Sequence, residues 1–390
     1  MPKKLTNLLL VLVSVGLVYG LTEFLVFPLI LSRLPAALFH YFPREVRLPG
    51  QSSKAGLLPA PGYLALAGDS YAQGKGDWFI DQGYDRTARF HTPHLLQDVL
   101  GRDVVTFGRS GAGSVDGLVL EPLEDLRALR RLGLAIPDPG CLLLFFYEGN
   151  DLSNNIRFLR NHFDPEHPRS SLRRPGVFRA FLEETAASYA SGEPREPGGS
   201  LLFGSLLLLS LRDQVWYRLV HNFSDPDPAP PLGTINAAVV GGRLRHLPDR
   251  LQGPPLDEPE AEDALFVFEQ SVLYIRDMLK DTRCVLVYVP APLSCYALDG
   301  QVQTQDWPDR RFAPEQVLAG SRAMAARIRD FAGRHGLDFI DTLPTLRAAA
   351  SQTLIHGPRD WDHFNKAGYE AFARAIAQDL PAGFRAPGGS

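Results

Sequence analysis

Gly68-Asp69-Ser70 closes the apolar run Tyr63 to Ala67, and Asp360-Trp361-Asp362-His363 lies far along the chain. A serine hydroxyl is a weak nucleophile at its own pKa, so it needs a base within hydrogen-bond reach and a third group that orients the base. Ser70, His363 and Asp360 supply those three types. Asp362 is a second candidate for the orienting carboxylate, but a neighbour in sequence rarely folds back to Nδ1 of the next residue. Between these halves, Thr106-Phe107-Gly108-Arg109-Ser110-Gly111 follows Val104-Val105, and Glu148-Gly149-Asn150-Asp151 follows the run Leu142 to Tyr147. Each begins where a strand would exit into a loop. Glycine lets its backbone approach a ligand closely, and a neutral asparagine amide donates a hydrogen bond; donors aimed at a developing oxyanion stabilise it by about 3 kcal/mol each.

In this order the four blocks resemble the SGNH/GDSL hydrolase family, over roughly residues 62–151 and 264–380. The resemblance implies Ser70 as nucleophile, His363 as base and Asp360 as its orienting partner. It implies an oxyanion hole of the Ser70 and Gly111 backbone N–H groups with the Asn150 side-chain amide, and no cofactor. The chain departs from the family at Tyr71, where Leu is frequent, at Thr106, where Asn is common, and at Glu148, where Gly is frequent. No catalytic group is lost by these changes. Tyr71 and Glu148, with Asp69 and Asp151, flank the nucleophile and the asparagine and are candidates for substrate contact.

Competing chemistries explain less. His356, Asp360, Asp362 and His363 suit zinc by type and spacing, yet that reading leaves Ser70, Gly111 and Asn150 without a role, so no metal is expected. His91 and His94 form a second close pair, but Thr92-Pro93 reads as a helix start, which favours surface or capping roles. Gly108 to Gly113 has the wrong spacing for a dinucleotide loop, and the G-x-S-x-G elbow does not occur around Ser70.

The chain has 390 residues, 45% hydrophobic and 22% charged, with a net charge of −4. That is an ordinary globular composition with room for one large or two modest domains. No Lys/Arg stripe interleaved with aromatics occurs, so nucleic acid is not an expected partner. Lys3 and Lys4 precede a mostly apolar run from Leu8 to Leu31, about 36 Å as a helix and enough to cross a bilayer core. The run outlasts the apolar region of a cleavable signal peptide, so residues 1–33 read as a cytoplasmic stub and uncleaved transmembrane anchor. Positive charge at its start places the rest of the chain outside, in the periplasm if the cell is bacterial, although Arg33, Arg44 and Arg47 weaken the bias. Glu23 within the run is costly at membrane depth. It reads as a dock for an integral-membrane partner that delivers acyl groups, or as a residue close enough to the outer interface to snorkel, or the span ends earlier, at Pro28.

Residues 34–60 read as a tether. From Tyr63 on, strand-like runs (63–67, 103–107, 141–147, 284–289, 337–340) alternate with helical ones (92–100, 116–131, 262–281, 314–335, 366–379). This pattern predicts an α/β fold with a parallel sheet; with the resemblance, it is a three-layer, flavodoxin-like sandwich plus one N-terminal transmembrane helix. Ligands of such sheets bind at the carboxyl ends of strands, which is where Ser70, Gly111 and Asn150 fall. The catalytic domain is then discontinuous, 61–151 and 262–382, with an insertion at 152–261 and a flexible tail at 383–390. The insertion starts beside Asn150 and reads as a lid, an acceptor surface or a decoration beside the sheet. Its apolar stretch Leu201 to Leu209 is too short to span a bilayer and reads as a buried or surface-lying helix. Cys141, Cys284 and Cys295 are too few for a disulfide framework, with a Cys284–Cys295 bridge left open.

Together these features predict a membrane-anchored serine esterase acting on a carbohydrate or lipid O-acyl ester. The alternatives are an O-acyltransferase that modifies a cell-envelope polysaccharide and a non-catalytic carbohydrate-binding or assembly protein.

Overall fold

The computed structural model describes residues 3–31, 44–76, 91–131, 133–191, 231–256 and 260–385. Eight strands lie among them: β1 (Leu64–Ala67), β2 (Val104–Thr106), β3 (Cys141–Tyr147), β4 (Ala237–Val240), β5 (Arg243–His246), β6 (Arg283–Val289), β7 (Ala297–Asp299) and β8 (Asp338–Asp341). Five form one sheet in the order β2-β1-β3-β6-β8, every neighbouring pair parallel. Counted within that sheet the order is 2-1-3-4-5, the flavodoxin-like winding.

The strands read as near-continuous apolar runs because both faces are covered. Leu64, Leu66, Leu143, Phe145, Val285 and Val287 point into one core, with Leu96, Leu346, Phe372 and Ile376. Their alternates Ala65, Ala67, Leu142, Leu144, Phe146 and Leu286 point into a second core, with Leu118, Leu126, Phe268, Ile328 and Phe331. Period-two side chains and helices on both sides therefore make three layers. The helices run over Thr92–Leu100, Glu121–Arg131, Ala261–Met278, Pro314–Arg334 and Lys366–Asp379, close to the predicted spans. Cys284 faces one core and Cys295 the other, and both are unpaired buried thiols. The sheet between them rules out the bridge left open above.

Residues 44–60 are not a tether. Gln51 pairs through its side-chain amide with the backbone of Thr106, Nε2 donating to O and the Thr106 N–H donating to Oε1, both at 2.8 Å. Ser53 Oγ donates to Val104 O at 2.6 Å, and the Val104 N–H donates to Ser53 O at 3.0 Å. This segment thus satisfies the outer edge of β2, which would otherwise present open backbone groups. The remainder of the expected tether, residues 34–43, lies outside the described residues.

The described start of the insertion is body rather than lid. Helix Asp151–Phe158, a wider turn Leu159–Phe163 and helix Val177–Ser191 send Ile156, Phe158, Phe163, Phe178, Phe181 and Leu182 into the second core. Its far end forms the hairpin β4–β5, which joins β7 in a small antiparallel sheet. The apolar stretch Leu201 to Leu209 lies outside the described residues.

The N-terminal helix Lys3–Leu21 continues through a wider turn, Thr22–Val26, into Phe27–Leu31. Pro28 has no N–H to donate to the helix. The helix accommodates it by widening, with the Phe27 N–H donating to Thr22 O. Among the described residues this is one helix long and apolar enough to cross a membrane, with mean hydropathy 2.2 over an 18-residue window. Its side chains are largely exposed, except Glu23 and the terminal Leu31, which are buried.

Candidate active site

The strand order reverses between β1 and β3, the crevice where ligands of such sheets bind. Ser70 follows β1 and Asn150 follows β3. Gly68 makes the sharp exit from β1 at φ +149°, and a Cβ there would lie 2.9 Å from Phe145 Cβ. Asp69 then caps the short helix Ser70–Gln73 by accepting the Tyr71 N–H at 2.9 Å.

His363 Nε2 lies 2.8 Å from Ser70 Oγ, and His363 Nδ1 lies 2.8 and 3.0 Å from the two carboxylate oxygens of Asp360. Asp360 Oδ1 also accepts the backbone N–H groups of Asp362 and His363, at 3.1 and 3.2 Å. One tight loop thus holds His363 and Asp360 together. Burial alone would raise the Asp360 pKa, but the hydrogen bond and charge of His363, the charge of Lys75 and the Asp362 N–H outweigh it and hold it below the usual value. The sign follows: this pairing stabilises the fold above the unfolded carboxylate pKa of about 3.9 and is lost as pH falls through the lower folded value.

Nδ1 faces Asp360, while Asp362 meets the site through its carbonyl. That oxygen accepts the Tyr71 hydroxyl at 2.6 Å. Tyr71 is fully buried, with its ring 5.3 Å from that of His363. It underlies the histidine loop. Glu148 is also buried, accepting from Ser321 Oγ at 2.6 Å, from the Ala291 N–H at 3.3 Å and from the hydroxyls of Tyr288 and Ser294. Burial pushes its carboxyl up to about 7 in spite of those donors. It joins β3 and β6 to the helices Pro292–Cys295 and Pro314–Arg334. Asp69 Oδ2 lies 3.3 Å from Ser70 Oγ, and Asp151 Oδ2 accepts the Tyr147 N–H at 2.8 Å. Both carboxyls are buried and raised by that burial, Asp151 further by the charge of Asp69. Asp69 thus contacts Ser70 itself, and Asp151 the end of β3.

The loop carrying Gly111 is stitched at both ends. Thr106 Oγ1 donates to Ala72 O at 2.6 Å and accepts the Gly108 N–H at 2.9 Å. Gly108 is required here, because a Cβ would lie 2.2 Å from the Gln73 nitrogen. Gly111 itself is exposed with φ +76°. Three residues that the motif reading passes over bind this loop to Asn150. Asn154 Nδ2 donates to Ala112 O and to Asn150 Oδ1, both at 3.3 Å, and Asn154 Oδ1 accepts Arg157 Nη2 at 2.7 Å. The same arginine nitrogen reaches Gly111 O at 3.4 Å. Asn155 accepts the Ser114 N–H at 2.8 Å and donates to Ser114 Oγ at 2.8 Å. The acceptor end of the Asn150 amide is thereby occupied and its donor end directed away from Asn154. Spacing held the signal, since Asn154 lies four residues after Asn150 on a helix and so on the same face.

Truncating Asn154 removes what orients that amide. For Asn154→Ala, kcat on p-nitrophenyl acetate is expected to fall about tenfold with KM nearly unchanged, less than the 10²–10³ for deleting an oxyanion donor itself. Steady-state kinetics of the two single variants Asn154→Ala and Asn150→Ala would check the ranking.

The other polar clusters serve structure. His356 is fully buried against the Tyr296 hydroxyl, with Nδ1 at 3.1 Å, and burial lowers its pKa to about 3. His91 and His94 are buried and paired through Nδ1 at 2.9 Å, His94 also meeting Ser52 Oγ at 2.9 Å. Among the described residues no group of three or more His, Cys, Asp or Glu side chains is arranged to hold a metal ion.

No family model and no curated protein sequence matches the chain. Solved structures similar to it include an extracellular lipase from Streptomyces rimosus, at 13% identity and TM-score 0.40 over 82% of this chain and all of that one. A phospholipase A1 from Streptomyces albidoflavus is 14% identical, with TM-score 0.38 over the same shares. A carbohydrate acetylesterase family member from Sinorhizobium meliloti is 12% identical, with TM-score 0.28 over 80% of this chain and 94% of that one.

Proposed function

We propose that the chain is a serine esterase of the SGNH/GDSL type, held to a membrane by its N-terminal helix with the catalytic body outside the cytoplasm. The observation that carries this is the continuous relay Ser70 Oγ, His363 Nε2, His363 Nδ1 and Asp360, with every link between 2.8 and 3.0 Å. In this reading Ser70 attacks an ester carbonyl while His363 takes its proton. The carbonyl oxygen becomes an oxyanion facing the N–H groups of Ser70 and Gly111 and the Asn150 amide. His363 then gives the proton to the alkoxide that leaves, and the acyl group stays on Ser70. Water, deprotonated by the same histidine, releases the acid. Asp360 fixes the tautomer that presents an unprotonated Nε2 to the serine and stabilises the imidazolium as it forms. A carbohydrate or lipid O-acyl ester is the proposed substrate class.

Stopped-flow cleavage of p-nitrophenyl acetate by the full chain in detergent, beside Ser70→Ala, tests this. Sustained turnover lost in the variant supports hydrolysis. A single burst followed by silence points to an acyl-enzyme that awaits another acceptor, the acyltransferase reading. Sugar binding that persists in Ser70→Ala, with no acyl-enzyme from any donor, would leave the binding or assembly role instead.

A further inference from the structure

Helix Glu121–Arg131 carries two carboxylates one turn apart, Glu121 and Asp125, and neither side chain is exposed to water. Two like charges so placed need cations. Arg44 supplies a fork, its Nη1 and Nη2 donating to the two Glu121 oxygens at 2.8 and 3.0 Å, with Nη1 also 3.2 Å from Asp125 Oδ1. Arg47 Nη1 donates to Glu121 Oε2 at 2.9 Å. The third cation comes from the loop beside the nucleophile: Arg109 Nη1 donates to Glu121 Oε1 at 2.8 Å. The Tyr189 hydroxyl completes the set, donating to Glu121 Oε1 at 3.2 Å.

Arg109 is built into the turn that presents Gly111. Its N–H donates to Gly68 O and its carbonyl accepts the Ala112 N–H, both at 3.1 Å. We propose that Glu121 is a positioning residue for the oxyanion loop, acting through Arg109 and itself held by Arg44 and Arg47, so that the segment following the N-terminal helix completes the active site. This rests on the esterase reading above. Burial would raise the Glu121 pKa, yet Arg44 first, then Arg47 and Arg109, outweigh it and hold the carboxylate below its usual range. Without Arg44 and Arg47, two buried carboxylates face a guanidinium that is itself 56% exposed. The carboxylate then takes up a proton or turns away, and the loop loses its anchor.

The test uses the full chain in detergent, with kcat, KM and thermal midpoint measured for Arg109→Ala, Arg109→Lys, the double variant Arg44→Ala/Arg47→Ala, and the triple alanine variant. The expected result is a kcat about tenfold lower for Arg109→Ala and for the double variant, with KM within about twofold, short of the 10²-fold that a 1 Å misplacement can cost. Because the arginines act along one chain of contacts, the triple variant should be no slower than the worse of the two. Arg109→Lys should recover most of the loss. Multiplicative losses, or an unchanged kcat in folded Arg109→Ala, would overturn the inference. Should the double variant fail to fold, Arg109→Ala, whose side chain is largely in water, still decides. Wild type and Ser70→Ala run alongside separate the two readings. Absence of Ser70-dependent turnover in wild type sinks the esterase reading and this inference with it, whereas Ser70-dependent turnover indifferent to Arg109 sinks this inference alone.

Discussion

Replacing Ser70 by alanine is expected to lower kcat for p-nitrophenyl acetate by about 10⁶-fold, with His363→Ala costing about as much and the double variant no more. The reason is that nucleophile and base would act as a unit: with the Ser70 Oγ, 2.8 Å from His363 Nε2, replaced by hydrogen, the histidine has no proton to take, and a serine without its base stays a neutral hydroxyl. What survives is the residual catalysis of oxyanion donors and binding, about 10³–10⁴ over water. The fold should tolerate the change. Ser70 is 3% exposed, and losing its hydroxyl leaves His363 Nε2 short of one hydrogen bond, of order 1 kcal/mol. A pair of single variants that each keep more than a hundredth of wild-type kcat, while remaining folded by circular dichroism, would remove Ser70 and His363 from the chemistry.

Asp360→Asn is the second large effect, about 10⁴-fold in kcat. An amide is nearly isosteric and its oxygen can still accept the backbone N–H groups of Asp362 and His363, so the loop keeps its shape. What changes is the partner of Nδ1. A carboxylate accepts from Nδ1–H and so leaves Nε2 bare toward Ser70; an amide can present its NH₂ to Nδ1 and favour the opposite tautomer, with Nε2 protonated and useless as a base. It also withdraws the negative charge that steadies the imidazolium. Asp362→Asn should stay within about threefold of wild type, since the described role of Asp362 is its backbone carbonyl receiving the Tyr71 hydroxyl. Comparable losses from the two substitutions would overturn the assignment of Asp360 as orienter.

The five central strands were readable because parallel strands covered on both faces are apolar at nearly every position, as in Cys141 to Tyr147, and such runs stand out from any flank. Residues at the strand exits were readable because their chemistry is rare in that position. Other features left no such mark. Residues 51–53 look like linker because their hold on β2 is made by a glutamine amide and a serine hydroxyl, which leave no hydrophobic period behind. Tyr71 and Glu148 sit beside motif residues in sequence, yet the short helix after Asp69 and the exit from β3 turn them inward. Adjacency along the chain does not say which way a side chain leaves a turn. Arg109, Glu121 and Arg44 are ordinary charges one by one; only the packing of helix Glu121–Arg131 against the segment at 44–47 makes them a set.

The joining of Ser70 to His363 spans 293 positions, and the Tyr71 hydroxyl that braces the histidine loop spans 291. Synthesis at about 5–20 residues per second delivers the second partner roughly 15–60 s after the first. Through that interval the nucleophile is an inert hydroxyl on an unfinished chain. Base and orienter arrive together, three residues apart, so the protein passes from no reactivity to full reactivity when one late loop docks. At no stage of synthesis is Ser70 therefore paired with a histidine that lacks its carboxylate.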